Sequence, residues 1–273
     1  MRRSLSIFCP AVLALCLLGL SACQTTPEEE AYNPEAQGVA ERVRHYQSEV
    51  AKHPEDGEVY YRLGNALIDM GRYHDAYLAF QRAIVFEPNH AKAYANLGLA
   101  LRKMGNLKAA VGAYERALDI NPADEATLNS LATIAEINED WERMAWCYGK
   151  LHALSPDNLA YTGAYAALLY GLEKYEPAIP VHKALIDAGQ DVDANTYRLG
   201  FCYYSLNQWP EAIETWEQAR TLAPSNGPVN LGLVAAYASA GNSGAAHAAA
   251  ARCRALQIEI PAEVQQQLDA LPG

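Results

Sequence analysis

The chain has 273 residues, 51% of them apolar and 19% charged, with 14 Pro and 18 Gly. That composition excludes a disordered chain and leaves room for one large core or two ordinary domains. The formal net charge is −11 and becomes −13 if residues 1–22, which hold Arg2 and Arg3 but no acid, are removed. Nucleic-acid affinity rests on Lys and Arg releasing counterions, so a phosphate-backbone binder is excluded as an expectation.

Residues 1–22 begin with Arg2 and Arg3, continue through an apolar run from Ile7 to Leu20 and end in small residues. The run is short for a bilayer span and has the layout of a secretory signal. The end reads Leu20-Ser21-Ala22-Cys23, which resembles the lipobox of bacterial lipoproteins. Ordinary cleavage after Ala22 is the alternative, but Leu20 at the −3 position suits the lipobox better than the usual small-residue rule. The resemblance implies that Cys23 carries the lipid, and acyl chains contribute roughly 0.8 kcal/mol per buried methylene to anchoring. In such lipoproteins an Asp after the Cys favours the inner membrane. Here the residue is Gln24, so the outer membrane, facing the periplasm, is the expected location.

Residues 23–34 form the lipidated Cys and a polar, acidic, proline-punctuated tether. Eleven flexible residues after Cys23 reach roughly 18 Å. Of the six Cys, Cys9 and Cys16 leave with the signal and Cys23 takes lipid, so Cys147, Cys202 and Cys253 remain. No Cys-x-x-Cys spacing exists, and an odd number cannot pair completely, which predicts buried free thiols. Residues 35–56 are expected to hold a capping helix, from Glu35 to Lys52.

From Gly57 the sequence steps by 34. Leu63, Leu97, Leu131, Tyr165, Leu199 and Leu233 share one frame without an insertion, giving six units over 57–90, 91–124, 125–158, 159–192, 193–226 and 227–260. The twentieth position holds Ala76, Ala110, Met144, Ala178, Ala212 and Ala246, and the twenty-fourth Phe80, Tyr114, Tyr148, His182, Trp216 and Ala250. The turn position is Gly71, Gly105, Glu139, Glu173, Asn207 and Gly241, mostly residues that tolerate a left-handed backbone. Pro88, Pro122, Pro156 and Pro224 end four units, where a helix must stop. The fourth unit ends in Gln190 instead and carries Pro177 and Pro180 early in its second helix, where Pro180 predicts a local kink. Residues 261–273 open on Pro261 and are expected to form a C-terminal capping helix over about 262–270.

This period and pattern resemble the tetratricopeptide repeat. The resemblance implies an all-α, right-handed superhelical solenoid of about six helix-turn-helix repeats with capping helices at both ends. One unit cannot bury its own apolar face, so stacking supplies the core.

Catalytic constellations are missing from the sequence. It has no Gly-x-Ser-x-Gly, no His-Glu-x-x-His and no Gly-x-x-x-x-Gly-Lys, and its seven His are scattered. A non-enzymatic protein with no cofactor, no metal and no small-molecule substrate is expected. In tetratricopeptide arrays the first helices line a concave groove, and the matching positions here are Tyr61, Asn65, Leu99, Arg102, Asn129, Tyr170, Tyr197, Phe201 and Tyr204. Aromatic rings with wet hydroxyls suit a partner peptide or amphipathic helix. Asn65 and Asn96 stand where chaperone-binding repeats hold a peptide's terminal carboxylate, but Tyr61, Ala126 and Ser130 occupy the places that need Lys or Arg, so that clamp is not expected.

The whole outline resembles periplasm-facing tetratricopeptide lipoproteins, among them the Flp or tight-adherence (Tad) pilus assembly lipoprotein of TadD type and the type IV pilus pilotin. That resemblance implies a factor that binds a secretin, at its C-terminal segment or another pilus assembly component, and promotes its assembly in the outer membrane. An adaptor for peptidoglycan hydrolases and a subunit of the outer-membrane barrel assembly machine are the alternatives.

Overall fold

The structure, a computed structural model, describes residues 38–271. The expected signal segment, the lipidation site Cys23 and the tether lie outside the described residues. These contain fourteen helices and no strand. α1 (Val39–Lys52) precedes six helix pairs: α2 (Gly57–Asp69) with α3 (Tyr73–Phe86), α4 (Ala91–Lys103) with α5 (Leu107–Ile120), and α6 (Glu125–Ile137) with α7 (Trp141–Leu154). The series continues with α8 (Leu159–Gly171) and α9 (Tyr175–Asp187), α10 (Val192–Ser205) and α11 (Trp209–Leu222), and α12 (Gly227–Ser239) and α13 (Ser243–Ala255). α14 (Ala262–Asp269) closes the series. No helix of the described residues is long and apolar enough to cross a membrane.

Each second helix packs on the first helix of its own unit and on the first helix of the next, while α2 also meets α4 and α10 meets α12. α14 packs on α12 and α13 and buries Leu268, 1% exposed.

Local chemistry sets the bends within units. Gly71, Gly105, Glu139, Glu173, Asn207 and Gly241 all have positive φ, from 53° to 81°. In all six turns the amide of the next residue reaches back to a carbonyl five residues earlier, as in Arg72 N–H to the Leu67 carbonyl (2.9 Å) and Asp140 N–H to the Ala135 carbonyl (2.8 Å). This bond satisfies a carbonyl that the helix end would leave bare. Glu139 and Glu173 adopt the glycine conformation despite their side chains, because the bond pattern and the packing on both sides leave the chain no other path. The opposite helix ends are capped by side chains: Asp56, Asn106, Asp124, Asp140, Asn158, Asn226 and Asn242 accept from amides of their helices' first turns.

Volume matching between positions eight and twenty-four holds each pair together. A Cβ built on Gly64 comes within 2.5 Å of the Phe80 ring, one on Gly98 within 2.7 Å of the Tyr114 ring, and one on Gly200 meets the Trp216 indole. The missing side chain is thus the space that the aromatic ring fills. Where position eight is Ala166, position twenty-four is the smaller His182; where it is Val234, the partner is Ala250. Ala132 faces Tyr148, which stays half-buried while Tyr114 and Trp216 are each 1% exposed.

Unit four differs at its exit. Its second helix turns out through Gly189 (φ 73°) and Asp191 (φ 40°) instead of through a proline, and the Gln190 amide closes on the Leu185 carbonyl at 2.9 Å. α9 runs as one helix through Pro180, where the sequence predicts a kink. Pro180 is exposed, so the carbonyl that loses its N–H partner is on the solvent side, where water can serve it.

Candidate partner-binding face

The first helices present two different surfaces. At the N-terminal end, α2, α4 and α6 enclose a depression of about 250 Å³ lined by Tyr61, Lys92, Ala95, Asn96, Leu99, Tyr114, Asp124, Ala126, Thr127 and Ser130. Small side chains at Ala95 and Ala126 open it, and Leu99 with the Tyr61 ring gives it an apolar wall. Tyr61 is fixed from behind by the His90 ring, 4.5 Å between centroids, and by Phe80 at 6.1 Å. Asn96 donates from Nδ2 to Asn65 Oδ1 at 2.6 Å, tying α4 to α2.

The floor is Tyr114 of α5. Gly98 lets its ring pass against α4, so a second-helix side chain reaches the first-helix face. Its hydroxyl is buried beside Ser130 and Arg102 without a well-formed hydrogen bond, and Nε of Arg102 is likewise buried without an acceptor. Burial holds the phenol's pKa above its ordinary value, against the smaller opposing effects of neighbouring Ser130 and Arg102. The one carboxylate of the lining, Asp124, caps α6: its Oδ1 accepts from the amides of Ala126 (3.2 Å) and Thr127 (3.4 Å), and its Oδ2 from the Thr127 hydroxyl (2.7 Å).

At the C-terminal end the predicted aromatic residues pack chiefly on other rings of the array. Tyr170 lies 5.5 Å from Phe201, which lies 5.9 Å from Tyr175. Tyr197 stacks on Trp216 at 6.2 Å, and Tyr204 sits 5.1 Å from Trp209 and 5.9 Å from Trp216. The Trp216 indole donates to the Tyr197 carbonyl at 3.1 Å, and the Tyr204 and Ser239 hydroxyls are 3.3 Å apart. Burial pushes the Tyr170 hydroxyl up to about 12. Asn129 is also engaged internally, donating to the Glu125 carbonyl (2.9 Å) and to the Tyr161 hydroxyl (3.1 Å).

The predicted residues therefore divide. Tyr61 and Leu99 line the depression, Asn65 braces its wall through Asn96, and Arg102 stands beside its floor. Tyr170, Tyr197, Phe201 and Tyr204 form a half-buried aromatic wall farther along, and Asn129 bridges α6 to α8. The face-position reading misses Lys92 and Tyr114. Tyr114 was readable only as a core ring; the glycine at Gly98 was the signal that the ring penetrates to the other side.

Two other clusters are on the described surface. Glu58, Glu87 and His90 bring potential ligand atoms within 4.8 Å of one another. However, the Ala93 amide donates to His90 Nδ1 at 3.2 Å, which places the imidazole proton on Nε2, 3.4 Å from Glu58. A metal-binding imidazole has the reverse arrangement, with its second nitrogen donating; His90 instead caps α4, with Glu58 and Glu87 beside its Nε2. A larger depression of about 690 Å³ lies between α5 and α7 beside Trp146. Most of its charges pair: Arg143 with Glu115 (2.5 Å) and Asp140 (3.2 Å), and Lys174 with Glu142, while Lys150 Nζ lies 5.9 Å from the Trp146 ring centroid.

Cys147, Cys202 and Cys253 are buried and unpaired. Burial raises all three thiols, Cys147 to about 12 and Cys202 to about 11, so none is a nucleophile at neutral pH.

Models of the tetratricopeptide repeat match residues 64–105, 91–124 and 196–226. No curated protein matches the chain in sequence. The chain is similar to the structure of Naa15/Naa10 bound to HypK-THB, with 14% identity over 86% of this chain and 37% of that one and a TM-score of 0.62. It is also similar to YrrB, described as a TPR protein with an unusual peptide-binding site (16%, 71% and 98%, TM-score 0.48). A third similarity is to MamA (21%, 53% and 85%, TM-score 0.46). With the repeat matches, the helix pairing makes this an all-α tetratricopeptide-repeat fold.

Proposed function

We propose that the repeat array, a protein-binding scaffold by its fold, acts as an assembly factor for a pilus secretin of the Flp/Tad or type IV type. In this reading Cys23 carries the lipid, the tether holds the body at the periplasmic face of the outer membrane, and the first-helix face holds the secretin's C-terminal segment. The protein performs no chemistry on its partner. The observation that carries the binding role is the open depression at Tyr61 and Leu99, where an apolar wall adjoins buried polar groups that no protein atom satisfies. Pockets of this kind, apolar with a few convergent polar groups, are where ligand contacts concentrate.

The test is fluorescence anisotropy of a labelled secretin C-terminal peptide against the full-length protein and its Leu99→Glu variant. Losing one interface anchor typically costs about 1–4 kcal/mol, roughly fivefold to nearly a thousandfold in affinity. Leu99→Glu should lose at least tenfold with an unchanged melting temperature, and Lys108→Ala on exposed α5 surface should change neither. Equal binding by wild type and Leu99→Glu moves the partner elsewhere on the array. Tyr197 is a poor probe, because its stacking on Trp216 ties it to stability.

A further inference from the structure

The depression at α4 has a polarity of its own. α4 carries Lys92, Arg102 and Lys103 and no acid, in a chain whose net charge is −11. Lys92 and Arg102 have no carboxylate partner among the described residues, as is also true of Arg82, Arg198 and Lys103. Asp124 caps α6 and is the one acidic group of the lining. At the floor, Tyr114 is 1% exposed, and its hydroxyl, beside Ser130 and Arg102, makes no well-formed hydrogen bond. Arg102 Nε–H is a second buried donor without an acceptor.

The Tyr114 hydroxyl, the Arg102 guanidinium and the Lys92 ammonium, behind an apolar rim, ask for one kind of guest. A buried donor left unsatisfied is costly, and an anionic acceptor gives the strongest hydrogen bond available to it. We infer that this depression takes an internal acidic side chain, Asp or Glu, of an extended partner segment, with its carboxylate meeting Arg102 and the Tyr114 hydroxyl, Lys92 beside it, and a neighbouring apolar side chain on Leu99 and Tyr61. The inference rests on the first-helix face being the binding face. It differs from capture of a chain terminus, since Ala126 and Ser130 hold no charge where such a clamp needs one.

The test begins with a synthetic library of dodecapeptides, acetylated and amidated at their ends, selected on the full-length protein in detergent. Binders should carry Asp or Glu at a fixed offset from an apolar residue. For a selected peptide, replacing that Glu by Gln should weaken binding about tenfold, and raising salt should shrink the gap. Arg102→Gln should erase the Glu-over-Gln preference, Arg102→Lys should restore part of it, and Tyr114→Phe should narrow it severalfold without lowering the melting temperature. A purely structural Arg102 or Tyr114 would not move the Glu/Gln ratio. Equal binding of Glu and Gln peptides overturns the acidic-guest inference, as does a preference that survives Arg102→Gln. If the amidated library yields no binder while the same peptides made with free C-termini bind, the inference is overturned in favour of a terminal carboxylate. These outcomes leave the binding face intact if Leu99→Glu still abolishes binding; selected peptides indifferent to Leu99→Glu remove the face itself.

Discussion

Units five and four solve one packing problem with different residues. In unit five Gly200 makes room for Trp216, whose only polar atom finds the Tyr197 carbonyl. In unit four Ala166 leaves space for His182, fully buried, with Nδ1 2.9 Å from Asn195 Oδ1 and Nε2 unpartnered. Asn195 in turn donates to the Gln190 carbonyl at 2.8 Å, in the segment that replaces the proline exit. The comparison teaches that the frame conserves volume at the contact between paired helices. A polar side chain of suitable size is admitted only when the next unit supplies hydrogen-bond partners, because an unpaired buried polar group is costly.

The largest break in this comparison is Trp216→Ala. Loss of so large a buried ring costs about 3–5 kcal/mol, and urea unfolding should show it; His182→Ala should cost less, since the imidazole is smaller and half unsatisfied. Next, Gly98→Ala should cost about 1–3 kcal/mol by overpacking against Tyr114, while Ala132→Gly, beside half-buried Tyr148, should cost no more than the roughly 1 kcal/mol helix penalty of glycine. Calorimetry of the two variants ranks them directly.

A smaller effect is expected from pH. Burial lowers the His182 pKa below the ordinary 6.5, against the opposing bond from Asn195, and nearby Arg198 adds to the lowering. The unfolded chain then binds the proton more readily than the folded one. Stability from this group is whole above pH 6.5 and falls as pH drops below that value toward the folded pKa. Melting temperatures from pH 8 to pH 5 should fall less steeply for His182→Phe combined with Ala166→Gly than for wild type. The smallest change is Glu139→Gly, which relieves a left-handed residue of its side chain and should stabilise by up to about 1 kcal/mol; Gly71→Ala at the equivalent turn should do the opposite.

The helix pairs and their order were legible because the 34-residue step from Leu63 to Leu233 is unbroken, and because glycine and large aromatic residues sit at fixed distances. The site was legible only in part. Position within a repeat places Tyr197 and Tyr204 on the first-helix face, but whether a ring is free depends on the neighbour across the helix pair, and Trp216 covers both. Conversely, Tyr114 belongs to a second helix, and only the three-dimensional gap above Gly98 carries its hydroxyl through to the depression. Glu139 and Glu173 show the same limit in the backbone: their identity argues against a left-handed turn, and the equal length of the units imposes it.

The last helix has a consequence beyond stability. A stack of like units has no inherent terminus, since each exposed end resembles the surface that receives the next unit. α14 lays Leu268 over that end and turns Glu263, Gln266 and Asp269 outward, all exposed. It therefore works as a stop against self-association: a chain cut after Ala255 would offer its α12 and α13 surface to other molecules, and because α1 still covers the opposite end of the stack, the product to look for is an end-to-end dimer.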